Sequence, residues 1–305
     1  MKLGILRLSH LGDIVHSLPL AFLINREMPD FDLHFIIEKK YISVLSQLNF
    51  IKKFIPFEPK INFFSILRKV NLDVILDLQG LYKTSLISFF SNSCKRIGMD
   101  FKSLKEPFLY FLYHKRIKPS GIHIIEKNLS FGKYFGIKNF DLSNYHLKEL
   151  SQDREGKVLK FLNELNFENF IIFHPFSSKK EKYFPLEPIK KLNEIFKKKF
   201  SMVLSYGPGE EKEAENVSNY LKIFKIPPLG INEKSYLIEK AKFFIGPDTG
   251  LLHISDALRI PTIGYFTIYP PERNGAYFSK NLSFYKEEVD FKKILKFLEE
   301  NCSFS

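Results

Sequence analysis

Short apolar runs of strand type alternate with segments of helical spacing throughout the chain, and no other feature narrows the choice of fold as much. The predicted strands are residues 2–8, 33–37, 53–57, 73–78, 170–173, 202–206, 226–229, 242–245 and 262–266. The predicted helices are residues 14–26, 41–50, 63–70, 121–135, 233–241 and 290–301. Strands that alternate with helices form parallel sheets. Residues 141–156 are polar and lack strand character, so we expect two α/β domains divided near residue 150.

The composition restricts the possible partners and the compartment. The 305 residues carry a formal net charge of +12, which suits nucleic acid, an anionic membrane surface or a phosphorylated substrate, or which serves only solubility. Basic residues are spread along the chain and no nucleic-acid-binding module is recognisable, so we expect no nucleic-acid partner. Cys94 and Cys302 are far apart and lack metal-ligand spacing, which argues against a disulfide framework. With no bilayer-spanning apolar run and no signal peptide, a cytoplasmic protein is expected.

The segment 242–253, KFFIGPDTGLLH, joins a strand to a helix expected to begin at Leu251. Asp248, Thr249 and Gly250 stand where the first backbone N–H groups of that helix have no partner, which is an arrangement suited to a diphosphate. His253 lies one turn inside the helix. The alternative is an ordinary helix cap followed by a core histidine, and the local sequence alone favours it.

Asp13 follows the first strand at the start of the next helix. A carboxylate there can cap the helix, or it can face the ligand crevice at the carboxyl ends of the strands. In that crevice it would act as a general base toward an acceptor hydroxyl. The local sequence favours the cap.

Further polar groups follow other predicted strands. Ser177, Ser178 and Lys182 combine short donors with a positive charge, as a diphosphate requires, but they also fit a basic surface loop. Glu210 follows a glycine turn and suits either the two hydroxyls of a ribose or the acidic first turn of a helix.

Two further groups of polar residues in the first half each have a functional and a purely structural interpretation. Gln79 and Lys83 lie in a turn after the strand 73–78, where they either face the crevice or form a glycine turn with a solvated lysine. His123 and Glu126 open a helix, and by themselves they are better explained as surface or capping residues than as a catalytic pair.

Six segments together resemble the heptosyltransferases of lipopolysaccharide core synthesis, which are glycosyltransferases of the GT-B fold. In chain order they read LRLSHLGDIVHSLP, DLQGLYKTSL, RIGMDFKSLKEPFLYFLYHKRI, HPFSSKKEKYFP, GPGEE and GPDTGLLHISDAL. The second and third look especially like heptosyltransferase I. All six segments keep the order and spacing of the family, and the match extends over nearly the whole chain.

The resemblance implies a fold and a set of site residues. It implies two Rossmann-like parallel-sheet domains, residues 1–150 for the acceptor and 151–287 for the nucleotide sugar, facing a central cleft, with the helix 288–305 packed back on the first domain. Asp13 matches the catalytic base, in preference to the cap. The residues implied to bind the donor are Ser177, Ser178, Lys182, Glu210, Leu229, Asp248, Thr249, Gly250 and His253. Those implied to bind the acceptor are Gln79, Lys83, Arg96, His123 and Asn128.

The resemblance also implies an activity. The expected enzyme is an inverting transferase that moves L-glycero-D-manno-heptose from ADP-heptose to the Kdo of Kdo-lipid A, without a metal or another cofactor. We expect a monomer peripheral to the cytoplasmic face of the inner membrane. The alternatives are heptosyltransferase II, a family member with another acceptor or nucleotide sugar, a non-catalytic GT-B protein that binds a nucleotide sugar or lipid, and a GT-B epimerase that interconverts free nucleotide sugars.

Overall fold

The computed structural model describes residues 1–58, 63–104, 106–165, 167, 169–197 and 199–301. The chain divides into two compact units, Met1–Tyr145 and His146–Ser305. Cys94 is a free, exposed cysteine, and Cys302 lies outside the described residues.

The first unit is a six-stranded parallel sheet with helices. Its strands are β1 (Lys2–Leu6), β2 (Asp32–Glu38), β3 (Lys53–Phe57), β4 (Val74–Asp77), β5 (Lys95–Met99) and β6 (Lys115–Ile117), in the order β3-β2-β1-β4-β5-β6. Its helices are α1 (Leu11–Glu27), α2 (Ile42–Leu45), α3 (Phe63–Val70), α4 (Tyr82–Phe90) and α5 (Ile124–Leu129). This is the strand order of the doubly wound nucleotide-binding fold, in which ligands bind where the order reverses. In this unit the reversal lies between β1 and β4.

The core of the first unit explains why its strands read as continuous apolar runs. Leu6, Ile36 and Ile75 come from neighbouring strands, and they form one buried cluster with Phe63 and Leu67 of α3. Both faces of a parallel sheet are covered, so each of its strands buries apolar side chains on both sides. Full burial of one such side chain contributes about 1.5–3 kcal/mol.

The second unit repeats the arrangement. Its strands are β7 (Phe170–Phe173), β8 (Ser201–Leu204), β9 (Phe224–Lys225), β10 (Phe243–Pro247), β11 (Thr262–Phe266) and β12 (Asn281–Tyr285), in the order β12-β11-β10-β7-β8-β9. Its helices are α6 (Lys157–Leu165), α7 (Leu186–Phe196), α8 (Glu211–Leu221), α9 (Ile231–Lys240), α10 (Gly250–Ala257), α11 (Pro271–Asn274) and α12 (Phe291–Asn301). The order reverses between β7 and β10.

Several predicted elements differ from the observed ones. The predicted helix 41–50 is reduced to the four residues of α2, and α5 ends at Leu129, after which a 3-10 helix continues to Phe135. The predicted strand 226–229 is wrong, because the pairing with β8 occurs at β9, before this segment. The strand at 262–266 is not the last, since β12 pairs with it at the edge of the sheet. β9 is only two residues long and β12 is a partly exposed edge strand, so neither has the continuous apolar run that identifies a central strand.

The final helix, α12, belongs to the second unit. It contacts α7, and the ring of Phe297 lies 6.1 Å from that of Phe243 in β10. The expectation that residues 288–305 pack back on the first domain stays a prediction.

Candidate active site

Arg7 and Asp13 form an ion pair at the carboxyl end of β1. Nη2 of Arg7 lies 2.9 Å from Oδ1 of Asp13, and Nη1 donates to the carbonyl oxygen of Leu78, next to β4. Arg7 is buried, whereas the side chain of Asp13 is 38% exposed and can therefore meet a ligand. The N-cap of α1 is His10, and Asp13 lies in the first turn, where a carboxylate also stabilises the start of a helix. The structure in addition holds this carboxylate against a buried cation at the reversal point of the first sheet. A role for Asp13 as the base stays a prediction.

The loop after β4 is fixed by hydrogen bonds to the loop after β1. Oε1 of Gln79 accepts from the backbone N–H of Leu8 at 2.9 Å. The fully buried Asp77 accepts from the N–H groups of Gln79 and Gly80, at 2.8 Å and 3.0 Å, and from the hydroxyl of Tyr113 at 2.7 Å. Burial raises the pKa of Asp77, and these hydrogen bonds oppose the shift. Gln79 therefore lies at the same reversal point as Asp13.

Lys83 lies beyond the carboxyl end of β4, whereas Arg96 lies within β5. Lys83 lies in the first turn of α4, with Nζ 4.0 Å from Glu38 and 4.2 Å from the ring centroid of Phe57. Arg96 pairs with Ile75, before the carboxyl ends of the strands. Its guanidinium bonds the carbonyl of Leu112 at 2.9 Å and the ring of His114 at 2.8 Å. Contact of either residue with an acceptor stays a prediction.

His123 and Asn128 hold α5 in place. Nδ1 of His123 accepts from the N–H of Ile125 at 3.2 Å, and the carboxylate of Glu126 accepts from the N–H of His123 at 3.0 Å. This reciprocal capping confirms the local interpretation of the pair. Asn128 donates to the carbonyl of His16 in α1 at 2.9 Å and is buried. An acceptor-binding role for His123 and Asn128 stays a prediction.

In the second unit, the start of α10 follows β10 at the reversal point. Thr249 is the cap residue, but its side chain makes no capping hydrogen bond, and its hydroxyl is shielded from solvent with no partner among the described residues. Oδ1 of Asp248 lies 3.0 Å from Nε2 of His253, so these side chains engage each other across the first turn. The backbone N–H groups of Gly250 and Leu251 stand at the helix start, where a helix attracts anions.

The loop after β7 supplies a cation at the same edge of the sheet. Lys182 ends a short 3-10 helix and is partly buried. Its neighbours Lys179 and Lys180 each pair with a glutamate, but within the described chain no carboxylate lies within 4.0 Å of Lys182. Ser177 is partly buried, and Ser178 is exposed. Lys182 is therefore free to pair with an anionic ligand.

Glu210 is held by a tight glycine turn after β8. Its Oε2 accepts from the N–H of Gly207 at 2.5 Å, and Gly209 has a φ of +84°, which a side chain would disfavour. Burial raises the pKa of Glu210 and the charge of Lys234 opposes the shift. Leu229 is buried and lies ahead of α9. The contacts predicted for Glu210 and Leu229 with the nucleotide stay predictions.

Two buried basic residues of the second unit, Lys234 and His174, were not predicted. Lys234, in α9, donates to the carbonyl of Tyr206, and none of the described carboxylates lies within ion-pair distance. Nδ1 of His174 lies 3.1 Å from the carbonyl of Ser205. Burial, with the charge of Lys234, lowers the pKa of His174 to about 4. The sequence could have singled out Arg7, because a charged residue there ends an apolar strand. It could not have singled out Lys234, because the residues around it are those of an ordinary helix.

Metal ligands and cavities do not mark another site among these residues. In the part of the chain that the structure describes, no group of three or more His, Cys, Asp and Glu side chains is placed to hold a metal ion. A cavity of about 450 Å³ in the second unit is lined by Lys190, Phe200 and Tyr220, away from the predicted site residues. No helix in the described ranges combines the length and apolarity needed to cross a membrane.

Comparison with known proteins places this geometry in context. Residues 61–296 match the sequence profile of glycosyltransferase family 9 (heptosyltransferase). The lipopolysaccharide heptosyltransferase 1 of Campylobacter coli is 29% identical over 302 residues, which cover 90% of this chain and 86% of that protein.

Solved structures match the fold over nearly all of the chain. Escherichia coli heptosyltransferase WaaC with ADP superposes with a TM-score of 0.80 at 20% identity, covering 99% of this chain and 100% of that one. The same enzyme with ADP-2-deoxy-2-fluoro heptose gives 0.78 at 18% identity, with the same coverage. The predicted GT-B fold class is confirmed.

Proposed function

Because this chain belongs to glycosyltransferase family 9, the heptosyltransferase family, we propose that it adds a heptose to the lipopolysaccharide core, from ADP-L-glycero-D-manno-heptose to the Kdo of Kdo-lipid A. That the chain is a glycosyltransferase follows from the family; its donor, acceptor and step are the proposal. The observation that supports it most is the likeness to a lipopolysaccharide heptosyltransferase 1 along nearly the whole chain.

The second unit is proposed to hold the donor. Lys182 and the N–H groups at the start of α10 would bind the diphosphate, and the hydroxyl of Thr249 would gain a partner, which it does not have among the described residues. Glu210 would accept the ribose hydroxyls, and Leu229 would pack against the adenine. The neighbouring protein seen with ADP and with a fluorinated ADP-heptose supports a nucleotide-sugar donor.

Asp13 is proposed as the general base. It would take the proton from the acceptor hydroxyl as that oxygen forms a bond to the anomeric carbon of the heptose. The bond from the anomeric carbon to the diphosphate oxygen breaks on the opposite face, which inverts the configuration and leaves ADP. Lys182 and the start of α10 would stabilise the negative charge that develops on the departing diphosphate.

We expect no metal requirement, because Lys182 and the helix start supply the positive potential that a divalent cation supplies elsewhere. Transfer should continue at the same rate after dialysis against EDTA. A loss of activity that Mg²⁺ or Mn²⁺ restores would contradict this part of the proposal.

The direct test is transfer by the purified full chain from ADP-heptose to Kdo-lipid A dispersed in detergent. The product mass should increase by one heptosyl residue. Matched reactions with an acceptor that already carries one heptose, with other nucleotide sugars, and without acceptor separate the alternatives. Transfer only to the heptosylated acceptor would indicate a heptosyltransferase II. Binding of ADP-heptose with no transfer to any acceptor would indicate a non-catalytic protein.

The acceptor is a lipid, so we also propose that the protein works at the cytoplasmic face of the inner membrane, as a monomer attached peripherally. The net charge of +12 favours approach to an anionic surface. Fractionation of cells with and without a high-salt wash tests this: the protein should sediment with membranes and be released by salt.

A further inference from the structure

Helix α4 in the first unit buries three hydroxyl side chains beside Ile87 and exposes two phenylalanines. Thr84, Ser85 and Ser88 are buried, whereas Phe89 and Phe90 at its end are exposed. A surface helix of a soluble protein normally shows the reverse. An exposed aromatic face of this kind marks an interaction surface when it continues onto neighbouring elements.

Exposed aromatic side chains also lie on the 3-10 helix that follows β5. Arg96 connects this helix to the end of α4, since its guanidinium lies against the ring of Phe89 and bonds the carbonyl of Leu112. Phe108 and Phe111 are 61% and 72% exposed, while the next residue after each, Leu109 and Leu112, is buried. The ring of Tyr82, the first residue of α4, lies 6.3 Å from the ring of Phe108. We call this the aromatic surface; its residues are Tyr82, Phe89, Phe90, Phe101, Phe108, Tyr110 and Phe111, all of which are exposed.

Basic side chains are interleaved with these rings. The guanidinium of Arg116 lies 3.8 Å from the ring centroid of Tyr110, and that of Arg96 lies 5.3 Å from the ring of Phe89. In the sequence, residues 82–118 contain eight Lys and Arg against two acidic residues, Asp100 and Glu106. The segment therefore supplies half of the formal net charge of the chain in little more than a tenth of its length.

We propose that the aromatic surface docks the first unit on an anionic lipid bilayer. Aromatic rings partition into the headgroup region of a membrane, and basic side chains beside them are attracted to anionic headgroups. Self-association through this surface would instead bring two strongly basic patches together, which is unfavourable. A lipid surface satisfies both features, because it offers apolar volume and negative charge together.

The position of the aromatic surface fits a membrane-borne substrate, although this part of the inference rests on the proposed function. The N–H of Tyr82 donates to the carboxylate of Glu106, and Gly80 packs against Leu104. These contacts join the aromatic surface to the loop that carries Gln79, at the reversal point where Asp13 lies. Docking would therefore bring the carboxyl edge of the sheet close to the lipid headgroups.

The test is co-sedimentation of the full chain with vesicles of equimolar phosphatidylcholine and phosphatidylglycerol, which contain neither acceptor nor donor. We expect binding that weakens at high salt and is much weaker with phosphatidylcholine alone. The double variant Phe108→Ser, Phe111→Ser should lower the partition coefficient by about a hundredfold, because each of the two rings that enter the interface is worth about one order of magnitude. Ile195→Ser, which removes a side chain 54% exposed in the second unit, should leave it unchanged.

Two further measurements keep docking separate from catalysis and folding. The double variant should unfold at the same temperature as the wild type and should transfer heptose normally to detergent-dispersed acceptor. Absence of wild-type binding to the mixed vesicles, or equal binding by the double variant, would overturn the proposal. A wild-type dimer that the double variant converts to a monomer, without vesicle binding, would assign the surface to self-association instead.

Discussion

Nη2 of Arg7 lies 2.9 Å from Oδ1 of Asp13, so a buried cation at the end of β1 orients the carboxylate that we propose as the general base. The same guanidinium bonds the carbonyl of Leu78 after β4. Arg7 thus joins the two strands between which the first sheet reverses its order, and it fixes Asp13 relative to both.

Arg7→Met should therefore impair transfer without impairing donor binding. Loss of the ion pair allows the carboxylate of Asp13 to leave its position, and a displacement of about 1 Å in a catalytic group can cost about a hundredfold in rate. We expect kcat to fall with the ADP-heptose affinity unchanged, and Arg7→Lys to restore part of the rate. Arg26→Met breaks an exposed pair at 2.8 Å and should leave kcat unaltered. A fall in donor affinity with normal kcat would show that Arg7 does not position the base.

Lys234→Met should affect stability and ligand binding in opposite directions. The ammonium is buried without an ion pair from the described residues, and burial lowers its pKa, so its charge costs folding free energy. We expect the free energy of unfolding to stay constant or rise. The affinity for ADP should drop, because the charge of Lys234 helps to keep Glu210, the proposed ribose ligand, ionised.

Chemical denaturation and calorimetric titration with ADP measure the two effects of Lys234→Met. Lys240→Met changes an exposed lysine of the same helix and serves as the control. Destabilisation with unaltered ADP affinity would indicate that Lys234 has only a structural role.

We predict that the second unit loses stability in acid because of the buried His174. Its pKa is lowered from 6.5 to about 4 by burial and by the charge of Lys234. The unfolded chain binds a proton at His174 below about pH 6.5 while the folded chain does not, so stability falls as the pH drops from 6.5 to about 4. The loss across this window is about 3 kcal/mol. His174→Gln should flatten the profile of unfolding free energy in this range, and an unchanged profile would contradict the assignment.

Thr249→Val tests whether the hydroxyl of Thr249, at the start of α10, binds a ligand. Valine has the same shape and removes a polar group that has no partner in the described structure, so the stability of the free protein should stay the same or rise. The affinity for ADP should decrease. Thr84→Val is the matched comparison, because the hydroxyl of Thr84 bonds Leu81 at 3.0 Å and 3.1 Å, and its loss should lower stability by about 1 kcal/mol. Equal effects of the two changes on stability would contradict this interpretation of Thr249.

The sequence predicts the central strands well and the long-range partners poorly. β1, β4, β7 and β10 are apolar on both faces because they lie in the middle of parallel sheets, so their sequences alone identify them. β12 is a partly exposed edge strand, and it escaped prediction. The contact of Lys234 depends on Tyr206, which follows another strand, and no local pattern reveals it. Local sequence correctly predicted capping at His123, whereas Asp13 lies in the first turn of α1 and not at its N-cap.

The Asp13→Asn variant is the most direct test of Asp13 as the general base, since it keeps the size of the side chain and removes its ability to accept a proton. Single-turnover transfer from ADP-heptose to Kdo-lipid A should slow by about a hundredfold or more. Calorimetric titration should show unchanged ADP-heptose affinity. Transfer at close to the wild-type rate by this variant would contradict the assignment of Asp13 as the base.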